Sequence, residues 1–243
     1  MNTSKAEYRV LRPDFDLEGI DTWVFDIDNT LYPARCDLFT EIHQRMAQFV
    51  ADSLSISVDQ AKEVRRKYFM AHGTTMQGMM HNHGTDPEHY MAYVHDIDYS
   101  PLQPDPALRE AIAALPGRKL IFTNASLEHG EKCAQRLGVA DLFDGWFDIR
   151  DAGFAPKPAL ATYRAFEEKF SVGGKSTVFF EDTLKNLETS TALGWQSVFV
   201  DPSLVLAEEF DSDQGRAENR RVADAGYVHA CSTGLAEFFG AHS

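Results

Sequence analysis

The chain predicts an α/β fold: a doubly wound parallel sheet with an all-helical insert between its first and second core strands. Three observations carry this reading. Short, near-continuous apolar runs at Thr22–Phe25, Lys119–Phe122, Thr177–Phe180 and Ser197–Val200 have the character of strands buried on both faces. From Ala107 onward such runs alternate with helical patterns, the rhythm of a parallel sheet covered by helices on both sides. Residues 35–100 break that rhythm and carry helical periodicity alone.

The first strand, Thr22-Trp23-Val24-Phe25, runs into the turn Asp26-Ile27-Asp28-Asn29-Thr30. Leu38, Ile42, Met46, Phe49 and Val50 then recur at helical spacing on one stripe. Ser57-Val58-Asp59-Gln60 is a capping box that opens a helix to about His72, with Gly73 placed to stop it. Thr74 to Gly84, rich in Gly, Met and His, reads as a mobile loop. Asp86-Pro87 pairs an N-cap with proline at the first helical position and opens a third helix through Tyr90, Tyr93 and Val94. The proline-rich segment Ser100–Pro106 is a linker. Beyond it come helices over Ala107–Leu115, Glu128–Leu137, Pro158–Phe170 and a stretch ending at Leu193, interleaved with the remaining strands. Glu208–Ala223 is a polar excursion, Tyr227–Ala230 a last strand and Ser232–Phe239 a last helix. The expected organisation is a core of residues 1–34 and 101–243 with a cap at 35–100, and no internal repeat.

With 243 residues and 44% hydrophobic content the chain can bury a full core. A formal net charge of −14 lacks the basic footprint that nonspecific nucleic-acid or anionic-membrane binding requires. Cys36, Cys133 and Cys231 are odd in number and without CxxC spacing, which suits free thiols in a reducing compartment. No apolar stretch of signal-peptide or membrane-spanning length occurs, so a cytoplasmic location is expected. Composition does not specify the oligomeric state.

In a doubly wound sheet, functional groups collect outside the carboxyl ends of the strands, where strand order reverses. Three strand ends carry complementary groups: Asp26 and Asp28; Thr123-Asn124-Ala125-Ser126, a hydroxyl and a run of amides opening a helix; and Glu181-Asp182. Lys157 projects from the stiff segment Pro156-Lys157-Pro158. Singly each has a plainer reading: an Asx-capped turn, an N-cap pair, a surface lysine, an acidic cap. Together, four acidic groups, a hydroxyl and a lysine make a site for a hard cation such as Mg2+ and a phosphoryl group.

These residues resemble the four motifs of the haloacid dehalogenase-like hydrolase superfamily: Asp26-x-Asp28-x-Thr30, Thr123, Lys157-Pro158 and Glu181-Asp182. The likeness spans about residues 22–200, and the insert is similar to that superfamily's C1 cap on a Rossmann-like core. Asp26-Ile27-Asp28-Asn29-Thr30-Leu31-Tyr32, Phe122-Thr123-Asn124-Ala125 and the segment Phe179–Glu188 further resemble the pyrimidine 5′-nucleotidase branch, although that branch often carries Asp-Asp where Glu181-Asp182 stands. The resemblance implies a Mg2+-dependent phosphomonoesterase for a small phosphorylated metabolite, with pyrimidine nucleoside 5′-monophosphates as the first expectation. Asp26 is then the nucleophile and Asp28 the acid and base. Mg2+ is held by Asp26, the Asp28 carbonyl and Asp182, with Glu181 acting through water and Asn186 orienting the shell. Thr123, Asn124 and Lys157 bind the phosphoryl group.

Other readings stay open: a phosphatase for phosphoglycolate or a sugar phosphate, a phosphomutase, or a receiver-like signalling module. In the cap, Arg65-Arg66-Lys67 is a solvated face or a substrate contact, and His72, His81, His83, His89 and His95 are exposed polar residues or a second metal site. The cluster of Met76, Met79 and Met80 with Tyr90 and Tyr93 is cap core or a lid over a flat base.

Overall fold

The computed structural model describes residues 8–201, 222 and 225–240. Seven strands form one sheet in the order β1-β7-β6-β5-β2-β3-β4. They are β1 (Tyr8–Val10), β2 (Thr22–Phe25), β3 (Arg118–Phe122), β4 (Gly145–Phe147), β5 (Thr177–Glu181), β6 (Gln196–Val200) and β7 (Ala230–Ser232). All pairings are parallel except β1 with β7. From the central β2 the chain builds β3 and β4 on one side, then crosses back to build β5, β6 and β7 on the other. The order therefore reverses at β2, whose Phe25 lies between Ile121 of β3 and Phe180 of β5.

Strand alternation sorts the core into two layers. Trp23, Phe25, Ile121 and Phe180 face one layer, with Leu108 and Ile112 of α5 (Pro106–Ala114), Cys133 and Leu137 of α6 (Leu127–Leu137), and Phe238 of the last helix, α9 (Leu235–Gly240). Val24, Leu120, Phe122 and Phe179 face the other, with Tyr163 and Phe166 of α7 (Leu160–Phe170) and Leu187 of α8 (Leu184–Ala192). Every residue of β2, β5 and β6 is buried, as a sheet covered on both faces demands.

Helices α1 (Leu38–Leu54), α2 (Val58–His72), α3 (Thr75–His83) and α4 (Pro87–Val94) share a separate apolar cluster of Phe49, Val50, Met76, Met79, Tyr90, Met91 and Val94, joined by Ile149 from the loop after β4. The capping box at Ser57 and Gln60 and the Asp86 cap with Pro87 are present as expected. The expected loop over Thr74–Gly84 is a helix instead. Thr74 caps it by accepting from the Gln77 amide, and Met76 and Met79 are buried. Gly78 is there for close packing, since a Cβ would stand 2.3 Å from the Tyr68 side chain of α2. The last strand runs two to three residues later than expected, because its register follows pairing with β1 and β6. Strands β1 and β4, three residues each, carry too short a pattern to be read from sequence. The excursion expected at Glu208–Ala223 lies, apart from Val222, outside the described residues. Among the described residues no helix is long and apolar enough to cross a membrane.

Candidate active site

The reversal of strand order at β2 sets the ends of β2, β3 and β5 side by side, so residues far apart in sequence meet. Asp26 follows β2, and its amide donates to the Phe180 carbonyl at 3.0 Å. Lys157, with 1% of its side chain exposed, lies at the centre of the cluster. Its Nζ donates to Asp26 Oδ1 at 2.7 Å, Glu181 Oε2 at 2.8 Å and the Phe122 carbonyl at 2.8 Å. The Phe122 and Phe179 rings, which pack against each other, have their centroids 5.0 and 5.1 Å from the ammonium. Burial alone would lower the Lys157 pKa, but Asp26 and Glu181 outweigh it and hold the amine charged.

One cation faces three carboxylates. Ligand oxygens of Asp26, Glu181 and Asp182 all lie within 4.8 Å of one another. Burial and the neighbouring Glu181 push the Asp26 carboxyl up to about 8 and Asp182 up to about 9. An all-oxygen set with excess negative charge fits a hard divalent cation. The oxygens differ in their commitments. Glu181 already accepts from Lys157 and from the Thr183 amide at 3.0 Å. Asp182 is less buried, and among the described residues its oxygens accept from the Asn29 amide group and the Thr183 hydroxyl, each at 3.2 Å. Asp26 and Asp182 are thus the better placed of the three for direct coordination.

Thr123 is buried at the end of β3, where its hydroxyl accepts from the Ala125 amide at 3.0 Å and shapes the turn into α6. The Asn124 side chain is engaged on both sides of the Lys157 peptide unit: Oδ1 accepts from the Lys157 amide at 2.7 Å, and Nδ2 donates to its carbonyl at 3.2 Å. Asn124 therefore sets the lysine loop in place with its side chain, which leaves its own amide as the group to offer a ligand. Asn186 is buried in the first turn of α8, and its carbonyl accepts from the Tyr163 hydroxyl at 2.7 Å. Among the described residues no hydrogen bond links its side chain to Glu181 or Asp182.

Asp28 has a different environment from Asp26. Its Oδ1 accepts from the Tyr32 hydroxyl and lies 2.8 Å from His129 Nε2. Burial would raise this carboxyl, but His129 and then Tyr32 outweigh it and hold it down to about 2. Sequence reading passed over both partners; the Tyr32 position, four residues beyond Asp28, was the one available signal.

Asp28 also lines a cavity of ≈180 Å³ between α1, α3 and α4 and the loops at the sheet's carboxyl end. Asn124 and His95 border it, and Phe39, Met46, Met76, Tyr90 and Met91 form its apolar walls. Among the described residues no lysine or arginine lines it. Burial, then the nearby His129, hold His95 down to about 3, so the ring is neutral. Among the described residues the Tyr90 hydroxyl is buried without a hydrogen-bond partner. The other cap candidates lie elsewhere. Arg65 donates to the His43 carbonyl at 2.7 Å and packs on α1, while Arg66 pairs with Glu63 at 2.9 Å. His81, His83 and His89 are exposed, and the described residues hold no histidine cluster of metal-binding geometry.

Comparison with known proteins agrees with this geometry. The sequence model of the haloacid dehalogenase-like hydrolases matches residues 20–194. A Saccharomyces cerevisiae protein named phosphate metabolism protein 8 is 33% identical over 133 residues, 50% of this chain and 41% of the yeast protein; the match thus spans less than half the length of that relative. Among solved structures, L-2-haloacid dehalogenase from Xanthobacter autotrophicus superposes with a TM-score of 0.54 at 16% identity, covering 91% of this chain and 97% of that one. A phosphatase of the same superfamily from Thermococcus onnurineus gives 0.53 at 18% identity, covering 86% and 100%. At these identities the two structures speak to the fold alone.

Proposed function

Since the chain belongs to the haloacid dehalogenase-like hydrolase family, we propose that it is a Mg2+-dependent phosphomonoesterase acting on pyrimidine nucleoside 5′-monophosphates. The observation that carries the phosphatase reading is Asp28. A second carboxyl two residues after Asp26, on the lining of the cavity, serves a leaving alkoxide that needs a proton; a departing halide needs none. The name of the yeast relative, which refers to phosphate metabolism, points the same way.

Asp26, whose raised carboxyl first loses its proton to solvent water, attacks phosphorus through a carboxylate oxygen; the P–O bond to the leaving group breaks and an aspartyl phosphate forms. Asp28 gives the departing oxygen its proton. Ionised in the resting protein, Asp28 first takes up that proton from solvent water as the incoming phosphoryl dianion raises its proton affinity by like-charge repulsion. In the second half Asp28 takes a proton from water, the water oxygen attacks phosphorus, and Asp26 is regenerated with release of inorganic phosphate. Lys157 compensates charge on Asp26, and the Thr123 hydroxyl and Asn124 amide bind phosphoryl oxygens. Asp26, Asp182 and the Asp28 carbonyl would hold Mg2+, which when bound supplies positive charge to the phosphoryl oxygens; Glu181 supports that shell through Lys157 and the Thr183 amide.

The four helices of the insert act as a cap that selects the leaving group. A cavity of about 150 Å³ accepts a benzene ring, so ≈180 Å³ suits one six-membered ring better than a purine. The apolar walls suit its faces, and the Tyr90 hydroxyl is placed for a polar edge. With no lysine or arginine on the lining among the described residues, the carboxylate of phosphoglycolate would be desolvated without a partner there. A phosphate-release assay over UMP, CMP, AMP, GMP, phosphoglycolate and sugar phosphates tests this. UMP and CMP should show the highest kcat/KM. Phosphoglycolate or a sugar phosphate exceeding both by tenfold, about 1.4 kcal/mol of transition-state binding, would overturn the substrate assignment and leave the phosphatase reading standing.

A further inference from the structure

The hydrogen bonds around Asp28 continue into the segment that returns from the helical insert to the sheet. His129, fully buried in the first turn of α6, approaches Asp28 Oδ1 with Nε2 at 2.8 Å. Its other ring nitrogen lies 2.9 Å from the Tyr99 hydroxyl. Tyr99 donates to the His95 carbonyl at 2.9 Å, and the His95 ring stacks on His129 with centroids 4.4 Å apart and planes 26° from parallel. His95 Nδ1 lies 3.0 Å from the hydroxyl of Ser126, the residue that caps α6. His95 is the C-cap of α4, and Tyr99 follows four residues later, before the proline-rich linker.

Both imidazole nitrogens are engaged, Nε2 with Asp28 Oδ1 at 2.8 Å and Nδ1 with the Tyr99 hydroxyl at 2.9 Å, so the ring is held from two sides. Tyr32 and His129 both take Oδ1, which leaves Oδ2 for the reacting proton. The next residue explains how the helix comes so close. A Cβ on Gly130 would stand 2.5 Å from Ile27 Cδ1, and Ile27 is the residue between Asp26 and Asp28. A buried imidazole costs more to desolvate than an apolar side chain of similar volume, so packing alone does not account for one aimed at a carboxylate that lines the cavity.

We infer that His129 is a positioning residue: it holds the Asp28 carboxylate toward the leaving group and, through Tyr99 and His95, ties that orientation to the segment returning from the insert. This rests on the phosphatase reading. The stakes differ between leaving groups. An alkoxide must be protonated as it departs, so its loss depends on where Asp28 points, whereas p-nitrophenolate leaves without a proton.

The test compares kcat for the best alkyl phosphate of the panel with kcat for p-nitrophenyl phosphate in His129→Leu, His129→Gln and Tyr99→Phe. His129→Leu should lower the alkyl-to-aryl ratio of kcat by about tenfold or more, within the roughly 10²-fold cost of misplacing a reacting group. His129→Gln, which can return an N–H to the same place, should recover much of the ratio. Tyr99→Phe removes one half-buried oxygen and should lower the ratio by a smaller factor, so the inference stays testable even if the histidine variants do not fold. A wild-type protein that hydrolyses both esters, with the ratio unmoved in every folded variant, overturns the inference alone. A wild type that releases phosphate from neither ester removes the phosphatase reading and this inference with it.

Discussion

Lys157→Met is the sharpest perturbation of the proposed site, because it deletes one charge and little volume. The ammonium holds Asp26 at 2.7 Å and Glu181 at 2.8 Å, with 1% of its own side chain and of the Glu181 side chain exposed. Removing one partner of a buried ion pair costs about 3–5 kcal/mol, since the remaining charge stays desolvated. For a chain of this size that corresponds to a fall in Tm of about 6–20 °C. The loss has a defined pH dependence. The Asp26 carboxyl already stands at about 8 with the lysine present, raised by burial and then by Glu181, and without Lys157 it rises further. A folded-state pKa above the unfolded value gives stability that is present at low pH and fades as pH climbs through the folded value. At pH 6 the variant can neutralise Asp26 with a proton; at pH 9 it cannot do so as readily. The Tm difference from wild type should therefore widen from pH 6 to pH 9. Turnover of p-nitrophenyl phosphate should drop by about 10²–10³, the effect of losing one preorganised charge at the reacting oxygens. Thermal unfolding followed by circular dichroism at the two pH values, with phosphate release on the same samples, reads both quantities. A variant within about 2 °C of wild type at pH 9 and within tenfold in rate would refute the reasoning.

Three further outcomes are expected. Asp26→Asn should fold and lose turnover by several orders of magnitude; wild-type-like phosphate release from the folded variant would remove Asp26 as nucleophile. Mg2+ should raise Tm relative to excess chelator, and more at pH 9 than at pH 6. Protons hold the same oxygens of Asp26 and Asp182, whose carboxyls stand at about 8 and about 9, and they compete with the ion at the lower pH. Asp182→Asn should reduce that stabilisation and Ca2+ should support little activity, whereas full activity in chelator would contradict the metal assignment. Arg150 joins Glu88 of α4 at 2.7 Å to Glu128 and Asp148 of the core, each at 2.9 Å. Arg150→Gln should lower Tm by about 2–4 °C, about 1 kcal/mol, at low salt and by less in 1 M salt, where charges beyond about 3 Å are screened; a loss independent of salt would show that packing, not charge, is what Arg150 supplies.

The carboxyl ends of β2, β3 and β5 were legible in the sequence because their signals are local. An apolar run that stops at Asp26, one that stops at Thr123 and one that stops at Glu181 each announce a strand end, and the doubly wound fold brings such ends together. The caps at Ser57 and Asp86 were legible for the same reason, since each involves residues within one helical turn. The Thr74–Gly84 segment misled because Gly78 breaks the propensity of an isolated helix, whereas in the fold it makes room for Tyr68. Tertiary structure overrode the local preference there.

What the sequence determined by itself was thus the fold class and the identity of the six polar groups at the strand ends. Only the tertiary structure decided how those groups are used. It put Lys157 between two carboxylates, turned the Asn124 side chain onto the Lys157 peptide, and seated Asp28 against His129, 101 residues away. It also set α1, α3 and α4 around a cavity of ≈180 Å³ whose described lining holds Asp28 and no lysine or arginine. Periodicity and capping are properties of a few neighbouring residues and survive in a one-dimensional reading. A hydrogen bond between β2's loop and α6 depends on how closely a helix packs on a sheet, and that distance is set by side chains from both elements at once.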